Sequence, residues 1–381
     1  MSKFKKKPRI CFVSIDYPPH IIGGTGVYTQ ALAEFLSKKG YKVTVVTALE
    51  NSEKESRGKC GTKIKFVYSK SRNILSFWKF YFFFLKKNKE KFDVVHGNDL
   101  FHFPAIFLFK KKYKIISTVH NSYLQRFHRH RFLRKFYYPI LILLEQILLM
   151  NSDKIVAVSN LSGKYLEKYY FIKNKINIIP NGVNTNQFKK ISSNLYKDKL
   201  KKKEKVILFV GRLVENKNPL FLCNLAKNFF PEDWKLILVG DGPQGKKIAE
   251  FTKSKNIILI NKLDHEKMPE VYNSADLLIL PSKSEGLSLT ILEALACQLP
   301  VIITPETNYK NLVENGVDGF ILKTTDKPEK WLESIKEALS KKSEYGKNAR
   351  KKIIRMKLTL KDFEKKYEKL YLSLISQEHE G

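Results

Sequence analysis

A chain of 381 residues exceeds the size at which one hydrophobic core keeps growing, so two domains of roughly 150 to 200 residues are expected. Its 43% apolar content is ample for packed cores, and no run reaches the roughly 18 to 20 apolar residues of a spanning helix. The charge of +33 is uneven: residues 1–190 hold 36 Lys and Arg against 11 Asp and Glu (net +25), residues 191–381 hold 34 against 26 (net +8).

An excess of this size in one half suggests an anionic partner. No stacked-aromatic or recognition-helix motif accompanies it, so a membrane surface is preferred to nucleic acid. The 60 lysines against 10 arginines also read as compositional drift toward solvated faces. Cys11, Cys60, Cys223 and Cys297 have no metal-type spacing and fit buried thiols in a reducing cytosol.

In chain order, the basic start "MSKFKKKPR" precedes an apolar run that ends at Asp16 and Pro18, too short for a signal core and expected to be the first strand. A Pro-Pro turn follows, and Gly23, Gly24 and Gly26 lead into a helix whose apolar side is Val27, Ala31, Leu32, Phe35 and Leu36. Glycines let backbone N–H groups approach a ligand and a helix start favours anions, so a phosphate fits here; a plain strand-to-helix turn would use the same residues. "FWKFYFFFLKKNKEK" (77–91) and "YLQRFHRHRFLRKFYYPILILL" (123–144) mix aromatic and basic residues, a composition shared by interfacial segments and by buried helices. "HRH" (128–130) reads as basic surface. The run from Pro139 to Met150 is apolar apart from Glu145 and Gln146. His96 and His120 fall at or near the ends of two predicted strands, where ligand contact and a structural role compete.

The lysine-rich, aperiodic stretch 189–205 marks the expected domain boundary. Beyond it "VILFVGR" is a strand running out at Gly211, with Arg212 and Lys217 around the turn and Pro219 suited to a first helical turn. Two cations at such a strand end suit a diphosphate, although surface cations in a loop would look alike. In "PSKSEGLSLTILEALACQLPVI" (281–302), Glu285 sits in a loop and Glu293 inside a helix expected to begin near Ser288. A carboxylate among Leu, Ile and Ala needs a partner. Sugar or ribose hydroxyls would supply one, with the amides of Gly286, Leu287 and Ser288 open to an anion; a nearby lysine would also serve. Short Val/Ile-rich runs without polar alternation recur in both halves and predict parallel sheets covered by helices. Phe363, Tyr367, Leu370, Tyr371 and Leu374 recur at helical spacing near the end. No Asp-x-Asp pair and no His/Cys cluster with metal spacing is present.

"SEGLSLTILEALA" resembles the E-x7-E signature of the retaining GT-B glycosyltransferases of family four. The segment from Tyr17 to Thr47, "NGVNTNQF" (181–188), "GRLVENKNP", "LVGDGP" and "ACQLPVI" are similar to further motifs of that family in its order. The resemblance implies two facing Rossmann-like βαβ domains, residues 1–195 on the acceptor side and 196–355 binding the nucleotide sugar, with a C-terminal helix (356–381) packing back on the first. It implies a UDP- or GDP-sugar as co-substrate, no other cofactor and no metal, transfer with retention to a glycan or lipid-linked acceptor, and no nucleic-acid partner. A cytoplasmic enzyme of polysaccharide or glycolipid synthesis is expected, peripheral on the inner face of an anionic membrane.

Residue by residue, Arg212 and Lys217 would hold the diphosphate, Glu285 and the Gly286–Ser288 amides the donor sugar, and Glu293 the ribose. Gly211 belongs to the same donor loop, Gly23 and Gly24 would line the diphosphate, and His120 would contact the sugar near the reacting carbon. The expected catalytic set is His120, Arg212, Lys217 and Glu285. Two departures stand out: "PETNYKNLV" replaces the family's Gly-Gly turn, and Gln298 replaces its glycine after "AC". A nucleotide-sugar epimerase of the same fold, and a non-catalytic basic protein binding membrane or nucleic acid, are the alternatives.

Overall fold

The computed structural model describes residues 7–17, 23–48, 64–70, 73–87, 92–109, 112–120, 122–129, 138–172, 175–193, 195, 204–261 and 263–376. Its contacts divide into two units, Met1–Pro180 with Glu364–Gly381, and Asn181–Phe363.

Unit 1 contains, in order, β1 (Arg9–Val13), α1 (Gly24–Lys38), β2 (Lys42–Ala48), β3 (Ile64–Ser69), α2 (Ile74–Lys87), β4 (Val94–Asn98), α3 (Pro104–Phe109), β5 (Lys114–Val119), α4 (Tyr123–Arg129), α5 (Tyr138–Asn151), β6 (Lys154–Ala157), α6 (Asn160–Tyr169) and β7 (Ile176–Ile178). Its sheet runs β3-β2-β1-β4-β5-β6-β7, and each neighbouring pair is parallel.

Unit 2 contains β8 (Lys205–Val210), α7 (Pro219–Phe229), β9 (Trp234–Val239), α8 (Gly245–Phe251), β10 (Ile257–Ile260), α9 (Met268–Asn273), β11 (Leu277–Leu280), α10 (Leu289–Ala296), β12 (Val301–Ile303), β13 (Gly319–Ile321), α11 (Pro328–Ser340) and α12 (Lys342–Arg355). This sheet is also parallel, in the order β10-β9-β8-β11-β12-β13. β9, β11 and β12 are buried along their whole length, as expected of apolar strands covered on both faces. The last helix, α13 (Leu360–Ser376), belongs to unit 1 from Glu364 onward.

The unit boundaries differ from the expected 195/196 and 355/356. Asn181 to Phe188 already pack in unit 2: Phe188 joins its core, and Arg350 donates to the carbonyls of Phe188 (3.0 Å), Ala296 (2.5 Å) and Thr185 (3.0 Å). Leu358 is in the same core and accepts from the Val183 N–H, which holds 356–363 to unit 2. Lysine content marked a loop, while apolar burial decides where a unit ends. Of that loop, residues 194 and 196–203 lie outside the described residues, as do the Pro18–Ile22 turn, Cys60 and His130.

All five apolar positions expected on α13 are buried. Its Tyr371 hydroxyl meets His96 Nδ1 at 2.6 Å, while His96 Nε2 meets Thr118 Oγ1 at 2.7 Å. Tyr367 shares a hydrogen bond with Tyr28 of α1. His96 therefore lies in the middle of β4, 1% exposed, and burial holds its pKa well below the ordinary value. This corrects its placement beside His120 at a strand end: it is a neutral core histidine. His102 is likewise buried, pushed down to about 3 by desolvation. Its ring occupies the space where a Cβ on Gly97 would stand, 2.0 Å away, so Gly97 is required for close packing.

Cys11, Cys223 and Cys297 are buried, and desolvation raises each thiol, to about 12 for the last two. Such thiols are inert at neutral pH. Gln298 has φ +61°, the left-handed conformation that a glycine would adopt freely. In the altered 305–313 loop, Lys310 and Asn311 carry φ of +47° and +56°. The Asn308 side chain braces that turn, donating to the Val313 carbonyl (3.0 Å) and accepting from its N–H (2.9 Å).

Candidate active site

In unit 2, the chain leaves β8 toward β9 and β10 on one side and returns through β11 to β13 on the other. The strand order therefore reverses between β8 and β11, and the loops after their carboxyl ends border the crevice where parallel sheets bind ligands. Gly211 ends β8 with φ +155°, and Gly240 after β9 has the same φ. A Cβ on Gly240 would stand 2.0 Å from the Gly211 carbonyl oxygen, so two bare backbones pass in contact there.

The two crevice loops are tied to each other. Lys283 N–H donates to the Asn216 carbonyl (2.8 Å), and the Asn216 amide donates to the Ser284 carbonyl (2.9 Å). Across this tie Lys217 and Glu285 form an ion pair with side chains 18% and 15% exposed. Arg212, on the first loop, is exposed. Pro219 takes the first helical position of α7, and Asn218 before it has φ +54°, which turns the loop sharply at Lys217.

Ser288 caps α10 by position but makes no side-chain capping bond. Among the described residues no hydrogen bond occupies the N–H groups of Gly286, Leu287 or Ser288. The Leu287 carbonyl accepts from the Asn181 amide (3.0 Å), which fixes the loop from behind. Those three amides and the first turn of α10 form a donor array next to the Lys217–Glu285 pair.

Glu293 is 5% exposed, and among the described residues no lysine pairs with it. Its Oε1 lies 2.7 Å from His265 Nε2, and its Oε2 accepts from the buried Tyr272 hydroxyl at 2.8 Å. Burial alone would lower the His265 pKa, but the hydrogen bond and charge of Glu293 outweigh it and the value is raised. Desolvation, with the Glu293 charge added, drives Tyr272 well above its usual value. The carboxylate is thus held by one donor on each oxygen, with further lone pairs available for a ligand.

The raised His265 pKa has a signed consequence. Its stability contribution is fully present below the unfolded value near 6.5 and is lost as pH rises through the folded value. The melting-temperature gap between the parent and His265→Asn is expected to be larger near pH 6 than near pH 9. A gap independent of pH would remove the charge from the account of this contact.

In unit 1 the sheet reverses between β1 and β4, and the other predicted residues gather at that edge. Gly23 N–H donates to Asp16 Oδ2 (3.1 Å), which ties the end of β1 to the start of α1 at Gly24; Gly26 is already inside the helix. His120 follows β5; its Nε2 lies 3.3 Å from Asn98 Oδ1, and its N–H donates to Asp99 Oδ1 (3.3 Å). The Tyr28 ring of α1 meets the His120 ring edge-on, with centroids 4.8 Å apart. The helix start and His120 thus share one sheet edge.

Asn98, Asn216, Tyr272 and His265 escaped notice in the sequence, and Asp16 was read only as the end of an apolar run. Asn98 ends β4 and Asn216 lies in the loop after β8, so both were within reach of the strand-end rule. Nothing in "NKLDHEKMPEVY" reveals that His265 and Tyr272 face a glutamate more than twenty residues later.

Two family models match the chain: Glycosyltransferase Family 4 over residues 22–187, and Glycosyl transferases group 1 over residues 192–355. The alpha-monoglucosyldiacylglycerol synthase of Acholeplasma laidlawii is 27% identical, covering 97% of this chain and 98% of that protein. The UDP-Gal:alpha-D-GlcNAc-diphosphoundecaprenol alpha-1,3-galactosyltransferase of Escherichia coli is 32% identical over 47% of each. Among solved structures, sucrose-phosphate synthase from Thermosynechococcus elongatus superposes with a TM-score of 0.86 at 19% identity, covering 97% of this chain and 100% of that one.

Proposed function

The chain belongs to the GT-B-fold glycosyltransferases, and within that family we propose that it moves a hexose from a UDP- or GDP-sugar to a glycan or lipid-linked acceptor, with retention and without a metal. The observation that carries the donor assignment is the crevice of unit 2, where Arg212, Lys217, Glu285 and the Gly286–Ser288 amides border one sheet reversal. The named relatives support the substrate class: one uses UDP-galactose on a diphosphoundecaprenol acceptor, and another glucosylates at a diacylglycerol lipid, by their names.

When the bond between sugar and diphosphate breaks, the electron pair leaves with the phosphate oxygen. Arg212 and Lys217 neutralise that charge, and the α10 start adds a partial positive charge. Neither glutamate assigned to the donor is free to act as a nucleophile, since Glu285 is paired with Lys217 and Glu293 is held by His265 and Tyr272. Same-face attack therefore suits the residues: the acceptor oxygen bonds to the anomeric carbon as its proton passes to the departing phosphate.

Cations that replace a metal agree with the lack of an Asp-x-Asp pair. In unit 1, the α1 start is assigned to an anionic oxygen at Gly24, the Gly23 N–H being taken by Asp16 Oδ2, and His120 to a sugar hydroxyl. The same reading takes the cytoplasmic face of a membrane as the working place, supported by the diphosphoundecaprenol acceptor in the name of one relative.

The test is a binding screen across UDP- and GDP-sugars, followed by product analysis with lipid-linked and glycan acceptors in the presence of a chelator. Retained anomeric configuration and chelator-insensitive turnover are expected. Donor conversion without any acceptor would replace transfer with epimerisation.

A further inference from the structure

Of the thirteen large apolar side chains exposed among the described residues, ten lie in unit 1, although unit 2 is of similar size. Right-handed crossovers put the helices that step from β3 toward β7, namely α2, α3, α5 and α6, on one face of the sheet, opposite α1. Several of the ten stand on the outward side of that layer.

α2 turns Phe77, Tyr81 and Leu85 into the core. The flank of the helix beside them holds an open, mostly apolar depression lined by Ser76, Lys79, Phe80, Phe83, Phe84 and Lys87, in which Phe80 and Phe84 also touch the core while Ser76, Lys79, Phe83 and Lys87 are exposed. α5 is apolar nearly all round, the composition of a helix wrapped by other elements. Instead it presents Ile140 (61% exposed), Leu143 (59%) and Met150 along one stripe. Phe171 is 88% exposed, and its N–H donates to Gln146 Oε1 (3.3 Å), which ties its backbone to α5. Lys175 Nζ donates to the Met150 carbonyl (2.8 Å), so a cation stands at the stripe's end.

We propose that this outward face, α2 with the α5 stripe and Phe171, docks on an anionic lipid bilayer. Apolar side chains spread over separate helices and bordered by lysines match a headgroup boundary, where rings enter the acyl edge and ammonium groups stay with the phosphates. A second copy is disfavoured by charge, since residues 1–190 carry 36 basic against 11 acidic groups and two such surfaces repel. The proposal deepens the reading of a lipid-linked acceptor and rests on it only for the purpose of the surface. The contact itself needs neither donor nor acceptor.

The experiment is co-sedimentation of the full chain with phosphatidylcholine vesicles, with or without phosphatidylglycerol, at ordinary ionic strength. Partitioning is expected to be at least about tenfold stronger on the anionic vesicles. The triple change Lys79→Gln, Lys86→Gln and Lys87→Gln should weaken it by about fivefold for each lysine removed. The second variant, Ile140→Gln, Leu143→Gln and Phe171→Ser, should abolish the part that survives high salt. All six positions are exposed, so melting temperature and UDP affinity, measured on the same preparations, should match the parent.

Equal binding to neutral and anionic vesicles, no binding to either, or full binding by both variants overturns the proposal. So does a stable dimer that the second variant dissociates. Absence of nucleotide-sugar binding by the parent would instead sink the functional reading and leave the vesicle result standing.

Discussion

Replacing Lys217 with alanine is expected to lower kcat by about 10²- to 10³-fold with a smaller change in KM, because the charge it meets develops as the diphosphate departs. Its ion pair with Glu285 means that two effects are removed together. The carboxylate, 15% exposed, is left without its cation beside the position assigned to an anionic leaving group, and it then repels what Lys217 attracted. Stability falls too, by about 1–2 kcal/mol for a pair partly open to water.

The double change Lys217→Met with Glu285→Gln separates the roles. It removes both charges, so the stability loss should largely disappear while kcat stays low. Recovery of kcat to within about threefold of the parent in the double variant would reduce Lys217 to a structural partner of Glu285. Unchanged kcat in the single variant would remove it from the reaction altogether.

Much of this crevice was legible in the sequence because it is built from local signals. A buried strand that stops at Gly211, Pro219 at a first turn and Ser288 before an apolar helix are each read within a few residues, and each stands at the expected position, Ser288 without the side-chain capping bond. Strand order, which creates the reversal between β8 and β11, follows from long-range pairing and has no local trace. The same limit explains the histidines. His96 and His120 look alike as single residues in strand-end contexts, yet His96 lies two residues inside its strand's end and His120 one residue beyond, and that offset decides whether a side chain is under the sheet edge or on it. β4 continues past His96 to Asn98, whereas β5 stops at Val119.

The α13 stripe was visible as a helical period, but its partner was not, since His96 and Tyr371 are separated by 275 positions. Glu293 shows the reverse case. Its need for a partner was plain from the apolar sequence around it, and the partners came from α9 and the short turn before it rather than from a lysine.

Glu293→Gln should weaken UDP binding by about 10- to 100-fold, the range for losing charged hydrogen bonds to ribose hydroxyls. Glutamine keeps the shape of the side chain and still offers an oxygen to Tyr272 or His265, so the fold should survive. Glu293→Ala strips both partners and leaves the buried Tyr272 hydroxyl unsatisfied, which costs about 1–3 kcal/mol of stability. Weakened binding in the alanine variant alone would therefore be ambiguous.

Comparison of UDP with 2′-deoxy-UDP makes the ribose assignment specific. In the parent, loss of the 2′-hydroxyl should weaken binding severalfold. In Glu293→Gln the two nucleotides should bind nearly alike, because the acceptor that distinguished them has lost its charge. If the deoxy penalty were the same in both proteins, Glu293 would not touch that hydroxyl, and its burial between His265 and Tyr272 would be a matter of folding only.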